Sequence, residues 1–461
     1  MGAESRAMRR TRAIAGLAIA LTTVVAAPTA TSSPLPPLRT SENVEYLTNI
    51  PGSYAGLAFS GTHAYATGWG TGLTVFDISD PTLPLPVGEL PLPHFENEDV
   101  EVCGDTVLIA NDRGEEDLGG VLHVIDVANP SVPTLLASLP MGLTGVGRGP
   151  GHIANFVNKG CTQVWVDGGE DVEVIDLSDR ANPKSMGFFH SFAADGPDPK
   201  NPSGFQVTHD SEIDEKGIVW SVGGGGVAGY RVARNPLKPL LVASTGAPAV
   251  NIDSDEATSP LNDFIMHNSK RMGRTLLVTE EDYVDTSYAP PGQCQGQGKF
   301  ETWNIKGGVG GLTPMDTWMT ELNGFVAGGG AQDSKAPIVA NCSSHWFEER
   351  GGIAAVGWYE QGVRFLDVRN PKDIRQIGFY LPVDGATWAA YWVPGATDIV
   401  YTADPVRGID VLRIKNPTAP SSPTVAAPIL AEWFGVPGTE AGPVGFDPSK
   451  TFGWACAIKT S

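Results

Sequence analysis

One phrase recurs along this 461-residue chain, and it limits the fold more than any other feature. It reads GLTVFDISDP at 72–81, VLHVIDVANP at 121–130 and VEVIDLSDRANP at 172–183. It returns as GVAGYRVARNP at 226–236, GVRFLDVRNP at 362–371 and GIDVLRIKNP at 408–417, with a degenerate copy, FETWNIKGG, at 300–308. The pivot residues are Asp77, Asp126, Asp176, Arg231, Asn304, Asp367 and Arg413, spaced by 49, 50, 55, 73, 63 and 46. Alternation of apolar residues in each copy predicts a half-buried strand. The Asn/Asp-Pro ending predicts a turn, because Asn and Asp bond back to the backbone and Pro stops the strand. A further short strand follows each Pro, as in PKSMGFFHSF and IRQIGFYLP, and a hairpin precedes each phrase, as in TVLIAND and IAAVGWY. Four short strands per unit, seven times over, predict an all-β, seven-bladed β-propeller.

The boundaries follow from the same pattern. Residues 43–52, NVEYLTNIPG, read like the fourth strand of the other units. Pairing of this stretch into the last blade would close the ring and hide its open edges. The propeller is therefore expected over 43–417, with a flexible segment over 31–42 and a tail over 418–461 that packs on it. Residues 1–30 read as a secretory signal peptide: Arg6, Arg9, Arg10 and Arg12 precede the apolar run 13–27, and small residues follow at Ala26, Ala27 and Ala30. The expected product is an exported protein without a transmembrane segment, since no later stretch approaches the roughly 20 apolar residues of a membrane helix.

The formal charge is −21, and loss of four Arg and Glu4 with the signal region takes it to about −24. Nucleic acid and anionic membranes need a basic patch, so this balance argues against both as partners. A monomer that meets an unidentified small molecule or surface ligand is the expectation. The five cysteines form no CxxC pair, which leaves zinc-ribbon and thioredoxin readings without support. Disulfides are the default in an oxidising compartment. Cys103 and Cys161 flank equivalent turns of adjacent units and are one expected pair; Cys294, in the insert 285–300, and Cys342 are the other, leaving Cys456 odd.

The VxVxDVxNP phrases resemble the LVIVD repeat family of secreted or surface propellers, over about residues 55–417. The resemblance implies a propeller and an extracellular setting, and little about activity.

Placed on the repeat, four of the eight histidines fall in one column. His152, His209, His267 and His345 stand six to eight residues ahead of the glycines of the next hairpin turns, in consecutive units 3 to 6. That column begins the first strand of each unit, which lines the central channel of a propeller. In unit 2 it holds Glu96, with His94 and Glu98 beside it; in unit 7 it falls near Trp388 and Tyr391, and in unit 1 near Ser53 and Tyr54. Neutral imidazoles are common ligands of Zn, Cu and Fe. The column is thus a candidate transition-metal site (Fe, Cu or Zn), off the ring axis and nearest units 4 and 5. Asp210, Glu212, Glu96 and Glu98 are candidate acids to orient the rings. The arrangement is similar in concept to the four-histidine iron site of carotenoid-cleaving oxygenases, whose sequence motifs are absent here. Two functions from different classes are expected: a metal-dependent oxidoreductase or oxygenase, or a non-catalytic extracellular binding or scaffold propeller whose histidines are structural.

Three acidic stretches, NDRGEEDLGG at 111–120, VDGGEDVE at 166–173 and EEDYVD at 280–285, read as solvated loops, with Ca²⁺ binding the sharper alternative. GGGG at 223–226 reads as tight packing at a hairpin. Trp346, Trp358, Tyr359, Trp388 and Trp392 read mainly as packing between blades.

Overall fold

The computed structural model describes residues 39–68, 71–92, 99–111, 120–142, 151–195, 207–246, 265–281, 298–320, 343–359, 361–382 and 385–417. The signal region, Glu96, Glu98, Cys294, Cys342, Cys456 and the tail lie outside them. The strands form seven antiparallel sheets, each a meander from channel to rim. The innermost strands are Tyr54–Ser60, Val100–Cys103, Ala154–Phe156, Thr208–Ile213, Ile265–Met272, Phe347–Arg350 and Ala389–Trp392. Each packs on the next, and Ala389–Trp392 packs back on Tyr54–Ser60, so the ring closes as a seven-bladed β-propeller.

The repeated phrase is the third strand of its blade and the turn after it. Asp77, Asp126, Asp176 and Asp367 each accept a hydrogen bond from the backbone N–H two residues on, at 2.8–3.3 Å. Asp80, Asn129, Asp179, Asn235 and Asn370 repeat the device one step later, at 2.9–3.3 Å. Two consecutive side-chain turns thus reverse the chain before the outer strand begins.

Strand alternation sends one face of each blade to the preceding blade and the other to the following blade. Seven buried apolar clusters result among the described residues, each shared by two neighbouring blades. Trp165, for example, packs with Val219 and Tyr230 of the next blade, and Leu277 and Phe300 pack with Val356 and Trp358. Because both faces are covered, second strands such as Thr106–Asn111 and Ile353–Gly357 are buried along their length. Cys103 and Cys161 form a disulfide between blades 2 and 3, with Cα atoms 6.0 Å apart, as their turn positions suggest.

Closure uses the N-terminal strand. Val44–Ile50 pairs antiparallel with Ile409–Ile414 as the outer strand of blade 7. Pairing begins still earlier, because Arg39–Thr40 adds to the rim strand of blade 6 through Arg39↔Leu381 and Thr40↔Tyr380. A buried polar knot ties these parts together. The Asp410 carboxylate accepts from Asn49 Nδ2 at 2.8 Å, Tyr380 Oη at 2.6 Å and Arg407 Nε at 2.8 Å. Asp410 and Arg407 are 0% and 3% exposed at their side chains. Removing one partner of a buried ion pair strands the other in a medium that cannot solvate it. Asp410→Ala is therefore expected to lower unfolding free energy by about 3–5 kcal/mol in equilibrium denaturant titrations. Asn49→Ala, which removes a hydrogen bond to the Asp410 carboxylate and weaker ones to the Arg407 and Ile409 carbonyls but strands no charge, is expected to cost about 1.5–3 kcal/mol. Equal costs for the two would contradict this account.

Candidate metal centre

The four column histidines come together at one end of the channel. His152, His209, His267 and His345 are each no more than 1% exposed. Their rings form a contiguous row, with centroids 4.7 Å apart for His152–His209, 3.8 Å for His209–His267 and 4.0 Å for His267–His345. The backbone explains the convergence. In blade 4 the pairing slips between Thr208 and Asp210, and in blade 5 between Met266 and Asn268, so His209 and His267 are each the extra residue of a β-bulge. A bulge breaks the strict alternation of side chains and re-aims one of them. In blade 3 the N–H groups of Gly151 and His152 both donate to the Asp167 carbonyl, at 2.9 and 3.0 Å.

Hydrogen bonds fix two of the tautomers. His209 Nδ1 donates to the His267 carbonyl and His345 Nδ1 to the Trp388 carbonyl, each at 3.0 Å. A ring that donates from Nδ1 carries its lone pair on Nε2 when neutral. His209 Nε2 lies 3.0 Å from His152 Nε2. Two nitrogens at about 2.1 Å from one metal and at a right angle to each other are about 3.0 Å apart. The Glu281 carboxylate stands between the next two rings, 3.7 Å from His267 Nε2 and 4.0 Å from His345 Nε2. Tyr359 donates its hydroxyl to Glu281 and sets its ring edge-on to His345, at 5.1 Å.

Donor atoms of His209, His267 and Glu281 all lie within 4.8 Å of one another. Ligands at right angles about one ion are about 3.0 Å apart, so holding an ion would draw these atoms closer, Glu281 and His267 Nε2 inward from 3.7 Å. The trio comes from blades 4 and 5, where the column places the site. Two histidines and one carboxylate with open positions form the donor set used by non-haem Fe(II) oxygenases.

The family described as "LVIVD repeat" matches residues 51–90 and 97–139, the first two blades. The chain carries LVIVD repeats. No curated protein matches it. Among solved structures it is similar to a candidate 6-phosphogluconolactonase from Bacteroides uniformis at 14% identity and a TM-score of 0.50, covering 77% of this chain and 87% of that one. It is also similar to the β-propeller domain of Cps50 (Swd1) from Myceliophteria thermophila, at 10% identity and a TM-score of 0.51, covering 80% and 99%. Identities this low show the fold of the LVIVD-repeat propeller alone.

Of the acids expected to orient the rings, Glu96 and Glu98 lie outside the described residues, and Asp210 and Glu212 bond other groups of the LVIVD-repeat propeller. Asp210 accepts from Asn155 Nδ2 at 2.9 Å and Asn268 Nδ2 at 3.4 Å, tying together the inner strands of blades 3, 4 and 5. Burial first, then nearby Glu212, Asp99 and Asp167, hold its carboxyl well above the usual range. Glu212 pairs with Lys270 at 3.6 Å, farther along the channel. Main-chain carbonyls take the orienting role for His209 and His345.

Glu281, Tyr359 and Asp167 are the site residues that motif reading passed over. Glu281 lies in EEDYVD and Asp167 in VDGGEDVE, yet both are fully buried rather than solvated. Burial pushes the Asp167 carboxyl up to about 7, with Ser211, Thr208 and His152 opposing the rise. The signal lay in the hairpin: all three stand at or just past the end of a blade's second strand, across from the column, as in Ile265↔Glu281.

Gly168 makes the approach to His152 possible. Its φ is +108°, and a Cβ there would lie 2.5 Å from His152 Cβ and 2.9 Å from its backbone nitrogen. Gly168→Ala is expected to displace His152 and to cost about 1–3 kcal/mol from overpacking and strain. The same substitution at Gly217, whose φ is +74° with nothing within 4 Å, carries the strain without the clash. Equal loss of stability at the two positions would show that the contact with His152 does not matter.

Proposed function

We propose that this protein is an exported, metal-dependent propeller of the oxidoreductase or oxygenase class. His209, His267 and Glu281 hold the ion, and His152 and His345 complete the site. The observation that carries the reading is the fixed tautomer of His209. Its Nδ1 proton is committed to a carbonyl, which turns the Nε2 lone pair toward His152 and the interior of the cluster. The donor set favours Fe(II) among Fe, Cu and Zn, because two imidazoles and a carboxylate leave positions for an exogenous ligand. Tyr359, bonded to Glu281, would hold that carboxylate in place, the service that outer hydrogen bonds give to ligands. Export is supported by the basic and apolar N-terminal pattern and by the Cys103–Cys161 disulfide.

One observation favours the second reading, a binding or scaffold propeller with structural histidines. His152 Nε2 and His209 Nε2 are also within hydrogen-bond distance of each other. A chain of ring-to-ring and ring-to-carbonyl bonds could serve the inner strands as a seam.

Metal analysis separates the two. Purified protein is expected to bind about one equivalent of Fe(II) under anaerobic conditions. His209→Ala and Glu281→Gln are each expected to weaken binding by at least tenfold, with the melting temperature of the metal-free protein changed much less than that of the loaded one. Wild-type protein that takes up no metal, and whose stability is indifferent to added Fe(II), Cu(II) and Zn(II), would establish the structural reading instead.

A further inference from the structure

Farther along the channel from the histidines lies a cavity of about 340 Å³, bounded by the inner strands of six blades. Its lining is of two kinds: aromatic, from Phe59, Trp346, Tyr391 and Trp392, and acidic, from Asp99, Glu101, Glu212 and Glu348 among others. The cations nearby are already engaged. Lys270 bonds Glu348 at 2.5 Å and lies 3.6 Å from Glu212. Arg350 donates to the carbonyls of Val393 and Ala396, and its guanidinium stacks 5.6 Å from the Trp392 ring.

Glu101 projects from Val100–Cys103 of blade 2; among the described residues the cation that acts on it is Lys270, which pairs with Glu212 and Glu348 instead. Burial pushes the Glu101 carboxyl well above the usual range, and the charges of Asp99, Glu212 and Glu348 push it further, with Lys270 opposing in part. Carboxylates crowded in this way gain from any cation that enters, because each added positive charge relieves their repulsion and their desolvation. Aromatic rings in the same lining add attraction for a cation that is weakly hydrated and partly apolar. A strongly hydrated metal ion gains little from those rings, whereas an alkylammonium uses both kinds of lining together. The volume lies at the small end of ligand sites.

We propose that this cavity is a binding chamber for a small organic cation, an amine or quaternary ammonium, with Glu101 as its counter-ion and Trp346 and Tyr391 as its apolar wall. The chamber does not depend on the metal reading. None of the four histidines lines the chamber, so it stands as a site of its own on the same channel.

Calorimetric titration of the full chain with 1,4-diaminobutane and tetramethylammonium, against 1,4-butanediol and MgCl₂, tests the proposal. The two organic cations are expected to bind at least tenfold more tightly than the diol or Mg²⁺. Glu101→Gln, nearly equal in shape, is expected to weaken the cations at least tenfold and to leave the diol unchanged. Trp346→Leu is expected to weaken tetramethylammonium more than diaminobutane. His209→Ala is expected to bind the cations within twofold of wild type, whatever its effect on metal uptake. Equal binding of diol and diamine, preference for Mg²⁺, or affinity unchanged in Glu101→Gln would each overturn the proposal. The comparison of diol with diamine on wild-type protein decides the matter even if a variant fails to fold. Cation binding lost in His209→Ala but kept in Glu101→Gln would place the amine at the histidines and overturn the chamber.

Discussion

Everything in this molecule depends on blades having two apolar faces and no means of covering either alone. A four-stranded sheet in isolation would expose both. Here each face is sealed by the next blade, and the seventh seals the first through contacts such as Tyr391 and Tyr401 with Leu57 and Phe76. The arrangement has no end that can be left off. A missing outer strand on blade 7 would expose a sheet edge and part of an inter-blade cluster at once. That is why the strand Val44–Ile50 must return across more than 350 residues of sequence to meet Ile409–Ile414. Val44 itself enters the cluster between blades 6 and 7. Hydrogen bonding and apolar burial therefore act on the same strand.

The same constraint frees the channel for chemistry. Stability is carried between blades, so the innermost strands need not be apolar toward the axis. They can bring polar side chains from several blades to one place on a rigid frame, and rigid elements place such groups more narrowly than loops do. The bulges at His209 and His267 exploit this freedom. Each leaves the rest of its strand in register for packing while turning one residue out of the alternation.

The fold was legible because it is written many times. The Asp/Asn-Pro turn repeats with a local mechanism, and alternation fixes the strand before it. The clasp could be read from 43–52 because that stretch lacks partners of its own and matches the outer strands. The histidine column was legible for the same reason, as a coincidence of position rather than a motif. Glu281, Tyr359 and Asp167 were not, because they share no residue type and no spacing from the repeated phrase. What they share is the end of a hairpin's second strand, and only pairing register brings Glu281 beside His267. Asp210 shows the converse. Its place next to His209 in sequence suggested a partner for the ring, but the bulge turns His209 out of the alternation, and the Asp210 carboxylate bonds Asn155 and Asn268 instead.

The channel is also where the molecule departs most from what stability asks. Asp167, Asp210, Glu280 and Glu281 are all fully buried, within a few blades of one another. Each costs free energy to desolvate, and their mutual repulsion adds to that cost. The partners present offset only part of it: Lys299 lies 3.3 Å from Glu280, the Asn155 amide bonds Asp210, and the Tyr359 hydroxyl bonds Glu281. Apolar side chains of similar volume would close the ring at lower cost, since replacing buried charge by packed hydrophobes is often neutral or stabilising. Local choices that oppose the fold in this way are expected at functional positions. The acidic, histidine-bearing end of the channel is the part of the ring whose composition packing alone does not call for.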